Sequence, residues 1–166
     1  MTLSHLDQAG RARMVDVGGK EISARRAVAE GRVLMSSEAF AQVRTSSLAK
    51  GDVRAVAELA GVMAAKRTGD LIPLCHPLPL DQVQVEVELV DEWPGVRVIA
   101  TVAATARTGV EMEALVAVSV ACLTVYDMVK SVDRTMRIDA VRLLEKTGGA
   151  RGDWRAGTLP IEEENE

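Results

Sequence analysis

The amino-acid sequence predicts an α+β fold, an antiparallel sheet with its helices on one face. Three observations carry that expectation. Polar and apolar residues alternate cleanly over Val83–Leu89, and an apolar run returns over Val96–Ala106 after a turn. The segment Glu111–Val132 is apolar nearly all round, the pattern of a helix buried on several sides. Taken along the chain, the segments run strand, helix, strand, strand, helix, strand.

Residues 1–25 show no sustained period, with Gly10 and Gly18-Gly19 breaking any pattern, and read as an extended arm. Gly31–Met35 reads as a short strand. Ser36-Ser37-Glu38 then offers an N-cap with an acid in the first turn, opening a helix to about Arg44. Gly51-Asp52 reads as a second cap. Behind it Val53, Val56, Ala57, Ala60 and Ala64 fall at helical spacing, in a helix expected to run to Gly69. Asp70–Pro79 cannot be regular, because Pro73, Pro77 and Pro79 interrupt it. In the next strand Val83, Val85, Val87 and Leu89 face one way, and Gln84, Glu86 and Glu88 the other. Glu92–Gly95 turns the chain into the second strand of the hairpin. After the long helix, Met136–Leu144 reads as the last strand, followed by a Gly-rich stretch from Lys146 to Asp153 and an acidic, frayed tail. The order is that of the ferredoxin-like, or split βαβ, sandwich. A single domain is expected over residues 26–157, with the arm before it and the tail 158–166 after it. Strands this apolar lead us to expect the uncovered sheet face to pack on another subunit, giving an oligomer assembled through sheet and helices.

The composition narrows the function classes. Aromatics are 2% of the 166 residues, which leaves few rings for stacking single-stranded nucleic acid. The net charge of −4 repels a polyphosphate backbone at long range, so an anion site must be a local basic cluster. The N-terminus has no signal-peptide pattern, and the most apolar run, Leu115–Tyr126, is about 12 residues against roughly 20 for a membrane span. Cys75 and Cys122 suggest no disulfide framework. A cytoplasmic protein with neither membrane nor nucleic-acid partner is expected.

Several residues invite chemistry. Asp127 and Lys130, three apart, share a face of the long helix and form a plausible acid–base pair; an ordinary helix salt bridge explains their spacing equally well. Cys75-His76-Pro77 suggests a metal. Yet a zinc site needs three or four ligands from a chain holding two Cys and two His, so no metal is expected. His76 as a hydrogen-bond donor or proton carrier competes with a purely structural loop. Glu111, Met112 and Glu113 open the long helix, where acids complement the dipole and backbone N–H groups can meet a polar ligand. Arg25-Arg26, Lys50, Lys66-Arg67, Lys146 and Arg151 are each surface charges unless the fold gathers them. Lys146-Thr-Gly-Gly is no Walker A loop, since its lysine precedes the glycines, but such a turn can wrap an anion.

Seven segments appear in a fixed order: Met14–Val17, Lys50–Asp52, Ala64–Thr68, Asp70–Pro77, Thr108–Leu115, Leu123–Lys130 and Val141–Gly149. Together they resemble the MoaC family, the cyclic pyranopterin monophosphate synthases of molybdenum cofactor biosynthesis. The resemblance runs from about His5 to Asp153 and departs at Gly18, where serine is usual. It implies a ferredoxin-like homohexamer, a trimer of dimers with active sites at subunit interfaces. It also implies a reaction: cyclised dihydro-GTP from a radical-SAM GTP cyclase rearranges to cyclic pyranopterin monophosphate as diphosphate leaves.

The resemblance places the family's catalytic aspartate on Asp127 and its partner lysine on Lys130. Substrate contacts fall on Leu74, Cys75, His76, Met112 and Glu113, and further family cations on Lys50, Lys146 and Arg25. The expected roles are acid–base work for Asp127 and Lys130, the base edge for His76 and Glu113, and the triphosphate for Lys50, Lys146 and Arg25. No redox cofactor is required, and magnesium enters only as a counter-ion able to accompany the triphosphate. The alternative function is a non-enzymatic ferredoxin-like module that binds a nucleotide as a regulator, for which the Asp127–Lys130 pair is dispensable.

Overall fold

Both caps read from the sequence are places where helices begin. Ser36 accepts the Ala39 N–H at 3.3 Å ahead of α1 (Ser37–Arg44). Asp52 accepts from Arg54 and Ala55 at 3.0 and 3.3 Å ahead of α2 (Val53–Ala65). Each satisfies N–H groups that the first turn leaves without a helical partner. These elements belong to a computed structural model that describes residues 5, 7, 9–46, 51–150 and 152–157. The expectations for Lys50, Arg151 and the tail 158–166 lie outside those residues.

The strands are β1 (Ser23–Leu34), β2 (Gln82–Val90), β3 (Gly95–Ala106), β4 (Arg137–Thr147) and β5 (Trp154–Arg155). They form one antiparallel sheet in the order β2-β3-β1-β4-β5. Its first four strands have the split βαβ order expected. The long helix α4 (Glu111–Val129) lies against β1, β3 and β4, and α2 lies beside it over β2.

Several bounds differ from expectation, each for a local reason. β1 is far longer than Gly31–Met35 and begins inside the span read as an arm. Its inward residues Ala27, Ala29 and Gly31 are small, and Arg26, Val28, Glu30 and Arg32 alternate with them, so the apolar period was faint. α2 ends at Ala65, and Thr68–Leu71 form a separate turn, α3, whose buried Thr68 hydroxyl donates to the Ala64 carbonyl at 3.4 Å. α4 stops at Val129 because the chain turns there: Val132 and Asp133 N–H both donate to the Val129 carbonyl, at 2.9 and 3.2 Å. β4 continues to Thr147 because β5, unseen in the sequence, pairs Trp154 with Lys146 and Arg155 with Glu145.

The core lies between sheet and helices. Val33, Val96, Val98 and Val102 meet Val118, Ala121, Cys122 and Val125 of α4, all fully buried. At the crossing of α4 over β1, a Cβ on Gly31 would come within 2.6 Å of Val118 Cγ1. The helix therefore sits close to the strand only because that position has no side chain. More than half of the most apolar stretch of α4 is buried, as befits a core helix, although by length and composition alone it would span a membrane.

The uncovered sheet face is not the apolar surface expected. The strict period of two sends the valines of β2 toward the helices and leaves Gln82, Gln84, Glu86 and Glu88 outside. Next to them Glu30, only 2% exposed, is clamped between Arg97 and Arg142, each with an Nη2 at 2.7 Å. Burial works to raise the Glu30 pKa, but the hydrogen bonds from Arg142 and Arg97 outweigh it and hold the carboxyl below the usual range. Arg26 pairs with Glu145 on the same face.

Candidate functional site

α4 runs antiparallel to β4, which puts the start of the helix beside the end of that strand. Lys146 pairs with Ala27 across the sheet, and Ala27 faces the helices. Side chains opposite one another share a face, and so do residues two apart, so Lys146 and Arg25 both point to the helix side at the start of α4. Lys146 Nζ lies 3.4 Å from Glu111 Oε1. The Arg25 guanidinium donates to the Ala106 and Arg107 carbonyls at 3.3 and 3.5 Å. Two of the cations expected from the sequence are thus gathered at one end of α4.

The proline-rich loop closes the other side of the same helix end. Pro77 packs on Gly69, where an added Cβ would meet its backbone at 3.2 Å. A cavity of about 290 Å3 opens there, lined by Lys66, Gly69, Asp70, Pro77, Leu78 and Glu113 among others. Leu74, Cys75, His76 and Met112 are half-buried, whereas Glu113 is 4% exposed. Burial, with the charge of Glu111 added, pushes the Glu113 carboxyl above the usual range, although its own backbone N–H works the other way. Burial first, and then the charge of Glu113, also push the Cys75 thiol up. The raised thiol is a poor nucleophile, and it lies two residues before Pro77, which lines the same cavity as Glu113. Cys122 lies in the core, where burial pushes its thiol up to about 12. Among the described residues no three His, Cys, Asp or Glu side chains are grouped to hold a metal ion.

Asp127 and Lys130 are elsewhere. Lys130 Nζ lies 2.7 Å from Asp127 Oδ1 at the far end of α4, so the expected pair forms. It is not the desolvated pair its place after an apolar run suggested: the two side chains are 61% and 52% exposed. Fourteen residues separate Asp127 from Glu113, about 21 Å along a helix. The turn behind Lys130 is fixed by Asp133, which accepts from Ser36 N–H at 2.7 Å and from the Thr135 hydroxyl at 2.7 Å. Those bonds, the Thr135 hydroxyl first, hold the Asp133 carboxyl below the usual range. A single chain therefore brings Arg25, Lys146, Cys75 and Glu113 to one end of α4 and leaves Asp127 and Lys130 at the other.

Lys66, Asp70 and Glu111 join the crowded end without having been assigned to the site from the sequence. The signal was present for Glu111, which opens α4 as a dipole-complementing acid, but its partner Lys146 is 35 residues later and visible only in the fold. A second hollow, about 330 Å3 and lined by Arg26, Gln82, Gln84 and Glu86 among others, lies on the uncovered sheet face, away from both groups.

Comparison with known proteins adds an independent line. A sequence model of the MoaC family matches residues 14–149. The chain is 58% identical over 152 residues to the cyclic pyranopterin monophosphate synthase of Brucella ovis, covering 92% of each chain. The proteins of the same name from Brucella melitensis and Brucella canis are 58% and 57% identical over the same length, with the same coverage.

Proposed function

The chain belongs to the MoaC family, and from that premise we propose a substrate, a division of labour among its residues and a way the site is assembled. The enzyme is a lyase that makes cyclic pyranopterin monophosphate in molybdenum cofactor biosynthesis, which sets aside the non-enzymatic module. Its substrate is (8S)-3',8-cyclo-7,8-dihydroguanosine 5'-triphosphate, delivered by a radical-SAM GTP cyclase. The rearrangement opens an aminal ring, closes a pyrazine ring, and forms a cyclic phosphate as diphosphate leaves. Protons move on ring nitrogens and a carbonyl, the work of Asp127 and Lys130 as general acid and base. Arg25 and Lys146, with Lys50, neutralise the triphosphate. Glu113 and His76 hold the base edge, with Leu74, Cys75 and Met112 lining its pocket. No cofactor is required, magnesium serving at most as the counter-ion of the triphosphate, and the enzyme works in the cytoplasm.

One observation carries the assembly. Asp127, assigned to proton transfer on the base, and Glu113, assigned to the edge of the same base, stand 14 residues and about 21 Å apart on one helix, further than two groups working on one bicyclic base can lie. A complete site therefore takes one end of α4 from each of two protomers, as in a homohexamer built as a trimer of dimers. Exposure of Asp127 and Lys130 in the single chain supports this, since a covering surface is what would exclude water from the pair. Val56, Leu59 and Met63, exposed along one stripe of α2, supply apolar surface for such an assembly.

Turnover is the test. Purified chain incubated with the cyclised dihydro-GTP is expected to release diphosphate and a pterin, and Asp127→Asn to lose turnover while still binding. Equal product from Asp127→Asn, or none from a folded wild-type oligomer, contradicts the assignment.

A further inference from the structure

The turn after β4 is built around two glycines with φ of +87° each. It is held from both sides. Gly148 N–H donates to Asp153 Oδ1 at 3.0 Å, and a Cβ on Gly148 would come within 2.2 Å of the Ala24 carbonyl of β1. The next residue faces a side chain rather than backbone: a Cβ on Gly149 would fall 1.6 Å from Nη1 of Arg25 and 2.8 Å from its Cζ. The guanidinium thus occupies the space a side chain at position 149 would take, while its Nε and Nη2 reach the Ala106 and Arg107 carbonyls. With the turn fixed, a methyl group at 149 moves the arginine, because the end of a flexible side chain yields more easily than two backbone segments.

We propose that Gly149 is a positioning residue, its missing side chain leaving the place in which Arg25 meets the triphosphate. The proposal rests on Arg25 being a ligand of that triphosphate, so its test must separate the two. Gly152 supplies the control: its φ is +67°, it sits on the same turn, and nothing lies within 4 Å of the Cβ it would gain. Alanine there also meets a positive φ, without touching Arg25.

The experiment is steady-state kinetics with the cyclised dihydro-GTP on Arg25→Ala, Gly149→Ala, Gly152→Ala and the Arg25→Ala/Gly149→Ala double variant, with melting temperatures. Arg25→Ala is expected to raise KM about tenfold or more, as loss of a charge-assisted contact should, with kcat nearly unchanged. Gly149→Ala should raise KM by roughly the same factor, Gly152→Ala should leave it unchanged, and the double variant should match Arg25→Ala alone. A Gly149→Ala penalty that persists in the Arg25→Ala background, or is equalled by Gly152→Ala, overturns the positioning role and leaves Arg25 a ligand. An unchanged KM in Arg25→Ala overturns both. Should Gly149→Ala fail to fold, the melting temperature decides: the double variant regains its fold if the clash is with Arg25, and stays unfolded if it is not.

Discussion

The two ends of helix α4 are built from the same chain and finished to different degrees. At its start, Glu111 meets Lys146, Glu113 is buried, and Arg25 is pinned by two carbonyls. At its end, Asp127 and Lys130 meet each other in solvent. The first end has its electrostatics set by burial and neighbouring charge within the protomer. The second has correct spacing on a rigid scaffold, since Asp133 ties the following turn to Ser36 and Thr135, but lacks a low-dielectric surround. On the proposed reading, folding alone completes the binding determinants, and assembly completes the acid–base pair.

Variants at the two ends should therefore fail differently. The largest effect is expected at the exposed end. Lys130→Ala should lower kcat by about 10²–10⁴, the range of general acid–base catalysis, with the protomer's stability nearly unchanged, since an exposed helix pair contributes only about 0.3–0.5 kcal/mol. A loss of thermal stability matching the loss of activity would erase the contrast. Next comes Lys146→Ala at the crowded end, expected to raise KM roughly 10–100-fold for about 1.5–3 kcal/mol of charged hydrogen bonding, with kcat largely kept. A fall in kcat at constant KM would move Lys146 into the chemistry instead.

The smallest effect sharpens the electrostatic side. Burial, and then Glu111, raise the Glu113 pKa, so ionising it costs the folded state free energy. That cost is absent below the ordinary glutamate value of 4.5 and grows as pH rises from there through the raised value. Glu113→Gln is thus expected to melt higher than wild type near neutral pH, with the advantage vanishing in acid. Calorimetry across pH checks it, and a variant less stable at neutral pH would show that the ionised carboxylate is welcome where it sits.

What the sequence revealed followed local periodicity. The caps at Ser36 and Asp52, the alternation of β2 and the buried run of α4 are patterns within a single element, and all four are present in the fold. The part of β1 before Gly31 escaped because its inward face there is Ala27 and Ala29, small residues leading up to Gly31, where α4 comes close. β5 has two residues, too few to show any period. The polar character of the uncovered sheet face was already written in Gln84, Glu86 and Glu88, yet the ion cluster around Glu30 needed the register of three strands to be seen. The site divides likewise. Spacing placed Asp127 beside Lys130, but the pairing of Lys146 with Glu111 and the seat of Arg25 against Gly149 are long-range contacts with no local signature. The separation of the two ends was implicit in 14 residues of helix, and acquired meaning once Arg25, Lys146, Cys75 and Glu113 were found together at one of them.

The most direct test of a site shared between protomers is complementation. Asp127→Asn and His76→Ala chains, each inactive alone, would be unfolded together, mixed in equal amounts and refolded into mixed oligomers. If one protomer supplies Asp127 and another His76, random mixing restores about one quarter of the sites, and activity should return toward that fraction of wild type. If the mixture forms mixed oligomers and stays as inactive as its components, each site draws both residues from one chain, and the division of α4 between two protomers is wrong.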